Sequence, residues 1–163
     1  IPFESLKTGN VVMGEDELPD SFTTDAAPFG QTCTYGKMGG WNEGDPDTYV
    51  FRCPVFAAGT FDFDENKAKA EAAYADAKAT LDECLGAEWA ANTDVATSGE
   101  EFDESIIYER AEDRERSETA NFYMYPIMLQ KDYNASPPSR GGTWGWLVDV
   151  AFQQQHMPKS EEE

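Results

Sequence analysis

The chain has 163 residues and a formal net charge of −20, from 32 acidic and 12 basic residues. With 40% hydrophobic and 13% aromatic residues it carries enough apolar material for one packed domain, more than a disordered chain would have. So acidic a surface repels phosphate backbones and anionic lipid heads, which excludes nucleic acid and the membrane surface as partners, and no run of about 20 apolar residues is present to insert into a bilayer.

In chain order, residues 1–28 keep no sustained period and read as an extended N-terminal arm laid on the domain. Gln31 to Lys37 alternates, with Gln31, Cys33 and Tyr35 on one face, and is predicted to be a strand. Met38 to Asp47 is a loop rich in Gly and acid. Thr48 to Phe56 is a second strand with Tyr49, Phe51, Cys53 and Val55 on one face. Pro54 has no N–H to donate, so this strand is expected at an edge or to end there.

The clearest helix runs from about 64 to 85. Asp62 with Glu65 has capping-box spacing, and Gly86 stands where a helix ends. Ala70, Tyr74, Ala77, Leu81 and Cys84 form one apolar stripe, whose small alanines suit close packing on a sheet. Trp89 to Asp103 is expected as a loop, Ser105 to Glu109 as a strand, and the charged stretch Arg110 to Thr119 as an exposed connection. Asn121 to Gln130 is apolar on both faces and reads as a covered central strand. Lys131 to Gly142 reads as a loop. Thr143 to Phe152 reads as a last strand with Trp144, Trp146, Val148, Val150 and Phe152 on one face.

The connections between late strands are too short for helical crossovers. The expected class is therefore α+β: an antiparallel sheet of about five strands with one main helix packed on one face, in the order β-β-α-β-β-β. A single domain over 29–153 is followed by a polar tail, 154–163, expected to fray.

Cys33, Cys53 and Cys84 are an odd set, so one thiol is free or pairs outside the chain. If the first hairpin is symmetric about Glu43, Cys33 faces Cys53. A helix-to-sheet bridge from Cys84 is the other choice, and pattern alone does not separate them. At least one disulfide, together with an N-terminus Ile1-Pro2-Phe3 that lacks an initiator Met, points to a secreted or periplasmic protein. A trimmed fragment accounts for that start equally well. Asn134-Ala135-Ser136 fits a glycosylation sequon, a short motif with many chance matches.

Candidate binding residues are the acidic loop Glu43, Asp45 and Asp47 with the neighbouring Trp41, and the aromatic pair Tyr123 and Tyr125. Three carboxylates in five positions can hold a structural calcium through oxygen ligands, although the ligand order of an EF-hand is missing; with no diagnostic ligand spacing, a solvated acidic loop is the better explanation. No other cofactor is implied. No phosphate-binding glycine loop, zinc-protease helix or nucleophile elbow is present. His156, the sole histidine, sits in the polar tail, which leaves no Cys–His couple. Asp149, mid-strand among aromatics, is the acid with most scope for a raised pKa, yet sequence places no second acid beside it.

These features point to a non-enzymatic, extracytoplasmic interaction module that holds a protein partner, in one version a basic one, as an inhibitor or immunity-type protein would. Two alternatives are a surface-layer or filament subunit that adds its N-terminal arm to a neighbour's sheet, and a small hydrolase of sugars or peptides.

Overall fold

The computed structural model describes residues 3–6, 9, 21–39, 45–93, 102–120, 122–135 and 144–156. They form a seven-stranded, wholly antiparallel sheet and two helices. The strands are β1 (Phe22–Thr23), β2 (Thr34–Met38), β3 (Asp47–Ala58), β4 (Ala90–Asn92), β5 (Glu104–Glu109), β6 (Ile127–Asn134) and β7 (Gly145–His156). The helices are α1 (Phe63–Cys84), between β3 and β4, and α2 (Ala111–Thr119), between β5 and β6. Across the sheet the order is β1-β2-β3-β7-β6-β5-β4. The α+β class holds, with seven strands in place of five and two helices in place of one. The two extra strands, β1 and β4, are short edges of two and three residues.

The backbone of the fold is the pairing of β3 with β7, from Asp47↔His156 to Ala58↔Trp146. Alternation explains it. Trp146, Val148 and Val150 are fully buried on the face that meets α1, and Phe152 packs beside them. α1 answers with Ala70, Tyr74, Ala77 and Leu81, the expected stripe. Cys84, the last residue of that stripe, is exposed and free. It sits at the helix end, past the sheet, so no helix-to-sheet bridge forms.

The hairpin of β2 and β3 pairs Thr34↔Arg52 and Tyr35↔Phe51, a register centred on position 43. Extended by one pair, it sets Cys33 against Cys53, and these two form a disulfide across a Cα separation of 4.3 Å. The bridge lies in a small second core with Phe51, against which Phe3, Leu6 and Phe29 pack.

Several local expectations are corrected. Pro54 does not end β3. β2 stops opposite Arg52, so beyond it β3 pairs with β7 alone, and a register shift at Pro54/Phe56 absorbs the missing donor. β6 begins at Ile127 and not at 121, because Pro126 cannot join a ladder. Its carbonyl instead accepts from Gln153 N–H at 2.7 Å. β6 also runs on through Lys131 to Asn134. Lys131 is buried on the helix side, where its ammonium meets Glu104 at 2.6 Å and lies over the Tyr74 ring. Arg110–Thr119 is a helix rather than a connection. Its start is tied by Asp113, whose carboxylate accepts from the Arg110 backbone N–H and guanidinium. Asp62 does not cap α1 with its side chain; it adopts a left-handed φ of 53°, and Asn66 Nδ2 donates to the Phe61 carbonyl. α1 ends at Cys84 with Leu85 extended, so Gly86 supplies no left-handed cap.

The sheet takes in Phe22–Thr23 from the stretch expected as an arm, and Gln154 to His156 from the stretch expected to fray. The face turned away from α1 is covered in part, with Thr48, Ile107, Asp149 and Ala151 buried and Arg52 exposed. Among the described residues no helix is long and apolar enough to cross a membrane.

Candidate functional site

The long pairing of β3 and β7 gives the sheet two ends, roughly 35 Å apart at 3.3 Å per residue. Each end gathers side chains that the core does not need.

At the first end β3 leaves the sheet, β7 enters it, and α1 begins. Gly145 has a φ of +104°, and a Cβ there would run into the backbone of Ala58 and Gly59. This close approach holds the chain before Gly145 beside the turn that leads into α1. Trp144 and Phe61 flank the contact and are the exposed large hydrophobic residues among those described, at 45% and 79% exposure. At the same end lies an aromatic cluster around the buried Trp146. Phe63, Phe102, Tyr133 and Trp146 meet at ring separations of 4.9 to 5.8 Å.

This end is acidic. Asp62, Asp64 and Glu65 are exposed at the start of α1, and Glu65 pairs with Lys69. On the opposite face of the sheet, Asp132 of β6 and Asp149 of β7 are diagonal neighbours, since Asp149 pairs in register with Gln130. Burial pushes the Asp132 carboxyl up to about 6, and the charges of Asp103 and Asp149 push in the same direction while Arg52 opposes them. Asp149 is 4% exposed and is also raised by burial, against the pull of Arg52 at 3.2 Å. Two carboxylates, Asp132 and Asp149, thus feel the one guanidinium of Arg52.

At the second end β6 begins and β7 finishes. The segment 122–126, α2 and the N-terminal turn around Phe3 enclose a cleft of about 560 Å³. Tyr123 lines it, with Tyr125 edge-on at 5.6 Å. Trp89 forms one wall, with the Arg110 guanidinium stacked 5.1 Å from its ring centre. Met124 N–H donates to Gln155 Oε1, which holds the entering segment to the end of β7.

The sequence candidates fall as follows. Tyr123 and Tyr125 are at the cleft. Asp47 opens β3 opposite His156, so it stands at the same end, and its carboxylate binds Lys37 at 2.8 Å. Asp45 is half-buried two residues earlier. Trp41 and Glu43 lie outside the described residues. No group of three or more metal-ligating side chains comes together among the described residues. Phe61, Asp132, Arg116 and Gln155 were not singled out in the sequence. Phe61 had one usable signal: it is a large aromatic directly before the helix that falls on no apolar stripe.

Comparison with known proteins returns no matching protein family, no matching curated protein and no matching solved structure.

Proposed function

We propose that the chain is a non-enzymatic, extracytoplasmic binding module that docks a basic protein partner on the end bearing Phe61 and Trp144. The observation that carries this reading is the pair of exposed aromatic side chains, Phe61 and Trp144, at the end of the sheet where Asp62 and Asp64 are exposed and the Asp132 carboxyl is pushed up to about 6. Aromatic side chains at the centre of an interface supply most of its affinity, and a charged surround steers the partner and sets specificity. A lysine or arginine arriving beside Asp132 relieves the repulsion that its neighbours impose. The net charge of −20 extends that attraction over the whole molecule.

The test uses an arginine-rich peptide as a probe, read by fluorescence anisotropy. Binding should weaken at least tenfold in the Phe61→Ser, Trp144→Ser double variant, and again as pH falls through about 6 and Asp132 takes up a proton. Equal affinity for wild type and double variant would remove this end from consideration.

The raised pair Asp132 and Asp149 favours one second reading, a small hydrolase using them as acid and base. Turnover of a sugar or peptide substrate, lost in Asp149→Asn, would support it. The filament reading draws less support, because edge strands of two and three residues leave little ladder for an added strand.

A further inference from the structure

The cleft at the far end of the sheet holds polar groups that the fold itself leaves unmatched. Tyr123 OH and Gln155 Nε2 are buried and have no hydrogen-bond partner among the described residues, and both belong to side chains that line the cleft. The orientation of the Gln155 amide is set by Met124, whose N–H donates to Oε1 at 3.2 Å. The unmatched end of that amide is therefore its NH2, a donor. Tyr123 also remains a donor, because burial and the neighbouring Asp113 keep its hydroxyl protonated up to about 12. Leaving a buried donor unmade costs about 1–3 kcal/mol, so two such groups in one cleft call for acceptors from outside.

Charge at the cleft points the same way. Three of the chain's five arginines fall within 110–116. Arg110 is engaged by Asp113 and Glu112, and Arg114 by Glu109. Arg116 lines the cleft, is exposed, acts electrostatically on Tyr123, and forms no ion pair among the described residues. The nearest opposing charge, Asp113, is buried and already accepts from Arg110 Nε at 2.9 Å and from its backbone N–H. Trp89, Met124 and Phe152 give the wall an apolar part, beside the polar Gln153 and Gln154. A volume near 560 Å³ lies within the range of about 300–1,000 Å³ usual for small-ligand sites.

From these groups we infer that the cleft binds a carboxylate carried on an apolar body, with the exposed Arg116 donating to it directly, Tyr123 and Gln155 turning their covered donors toward its oxygens, and Trp89 and Phe152 packing its hydrocarbon part. A carboxylate offers about four acceptor sites and no donor, which matches three unmatched donors. A neutral amide brings a donor of its own into the same place. A free carboxylic acid and the C-terminus of a peptide share this chemistry. The site is independent of the partner-binding end, some ten residue pairs away along β7.

The test is calorimetric titration of the full chain, with side-chain amide signals followed by NMR. The probes are 3-phenylpropionate, 3-phenylpropanamide, and a tripeptide ending in Phe with a free or an amidated C-terminus. The acid should bind and shift the Gln155 side-chain amide, and 3-phenylpropanamide should bind at least tenfold more weakly. Arg116→Ala and Tyr123→Phe should each weaken the acid by about tenfold, the worth of one charge-assisted or buried hydrogen bond. The Phe61→Ser, Trp144→Ser variant should bind it as wild type does, which separates this site from the partner-binding one. Tighter binding of the free tripeptide than of 3-phenylpropionate would identify peptide C-termini as the ligand, and the reverse order would identify free acids. Equal affinity for acid and amide, an unmoved Gln155 signal, or wild-type affinity in Arg116→Ala would overturn the inference, as would binding of glucose in place of the acid.

Discussion

Among single residues, Cys33, Cys53 and Asp132 carry the clearest consequences. The disulfide closes a separation of 20 residues between two strands already in register. In the chain-entropy account such a bridge stabilises by about 3 kcal/mol. Replacing both cysteines with alanine should lower the free energy of unfolding by about that amount in urea titrations, with Cys84→Ser leaving it within about 0.5 kcal/mol as an exposed position. Asp132 acts in the opposite sense to a salt-bridged acid. Its folded pKa, about 6, stands above its ordinary 3.8, so between those values the folded state holds more protons than the unfolded state. Stability contributed by this group is present below about pH 4 and is lost as pH rises through 6. Asp132→Asn should therefore stabilise the protein at pH 7.5 and flatten the fall in stability between pH 4 and 7. A variant as pH-sensitive as wild type in that window would show that Asp132 is not the source. The pairing of Cys33 with Cys53 was open to sequence reasoning because antiparallel register is arithmetic. The fate of Asp132 was not, because it is set by burial and by the charges of Asp103, just before β5, and Asp149, on β7.

At the scale of elements, α1 was legible and α2 was not. The stripe Ala70, Tyr74, Ala77 and Leu81 repeats at helical spacing and meets the sheet as that spacing requires. α2 has a single buried residue, Asp113, and no apolar stripe, so periodicity had nothing to report. It is held by Arg110, Asp113 and the Arg114–Glu109 pair, contacts that need the end of β5 in place. The start of β6 was misplaced for a related reason. The apolar run 122–125 looked like strand, but Pro126 moved the ladder on to Ile127 and left Tyr123 and Met124 to build the cleft. The alanines of α1 set how close it sits on the sheet. Ala77→Leu should overpack that contact and cost about 1–3 kcal/mol. Ala79→Leu, on the exposed side of the same helix, should change stability by less than about 0.5 kcal/mol. Thermal unfolding of the two variants side by side checks this.

For the whole molecule, the charge of −20 and the sheet have separate roles. The face against α1 is buried, and the exposed large hydrophobic side chains and the cleft lie at the two ends of the sheet. Composition announced the acidity and the α+β pattern. It did not place the candidate site, because Phe61, Trp144 and Asp132 fall at one end of the sheet only through the β3–β7 and β6–β7 registers. The acidic hairpin, the most conspicuous sequence feature, has Asp47 bound to Lys37. The cleft near it collects arginine. The measurement that bears most directly on the central claim is capture of partners at low salt on the immobilised, oxidised protein, eluted with a salt gradient, beside the Phe61→Ser, Trp144→Ser variant. The account predicts a basic protein that leaves wild type at a sharp salt step and is not retained by the variant. A partner that ignores salt, or that the variant holds as firmly as wild type, would contradict it.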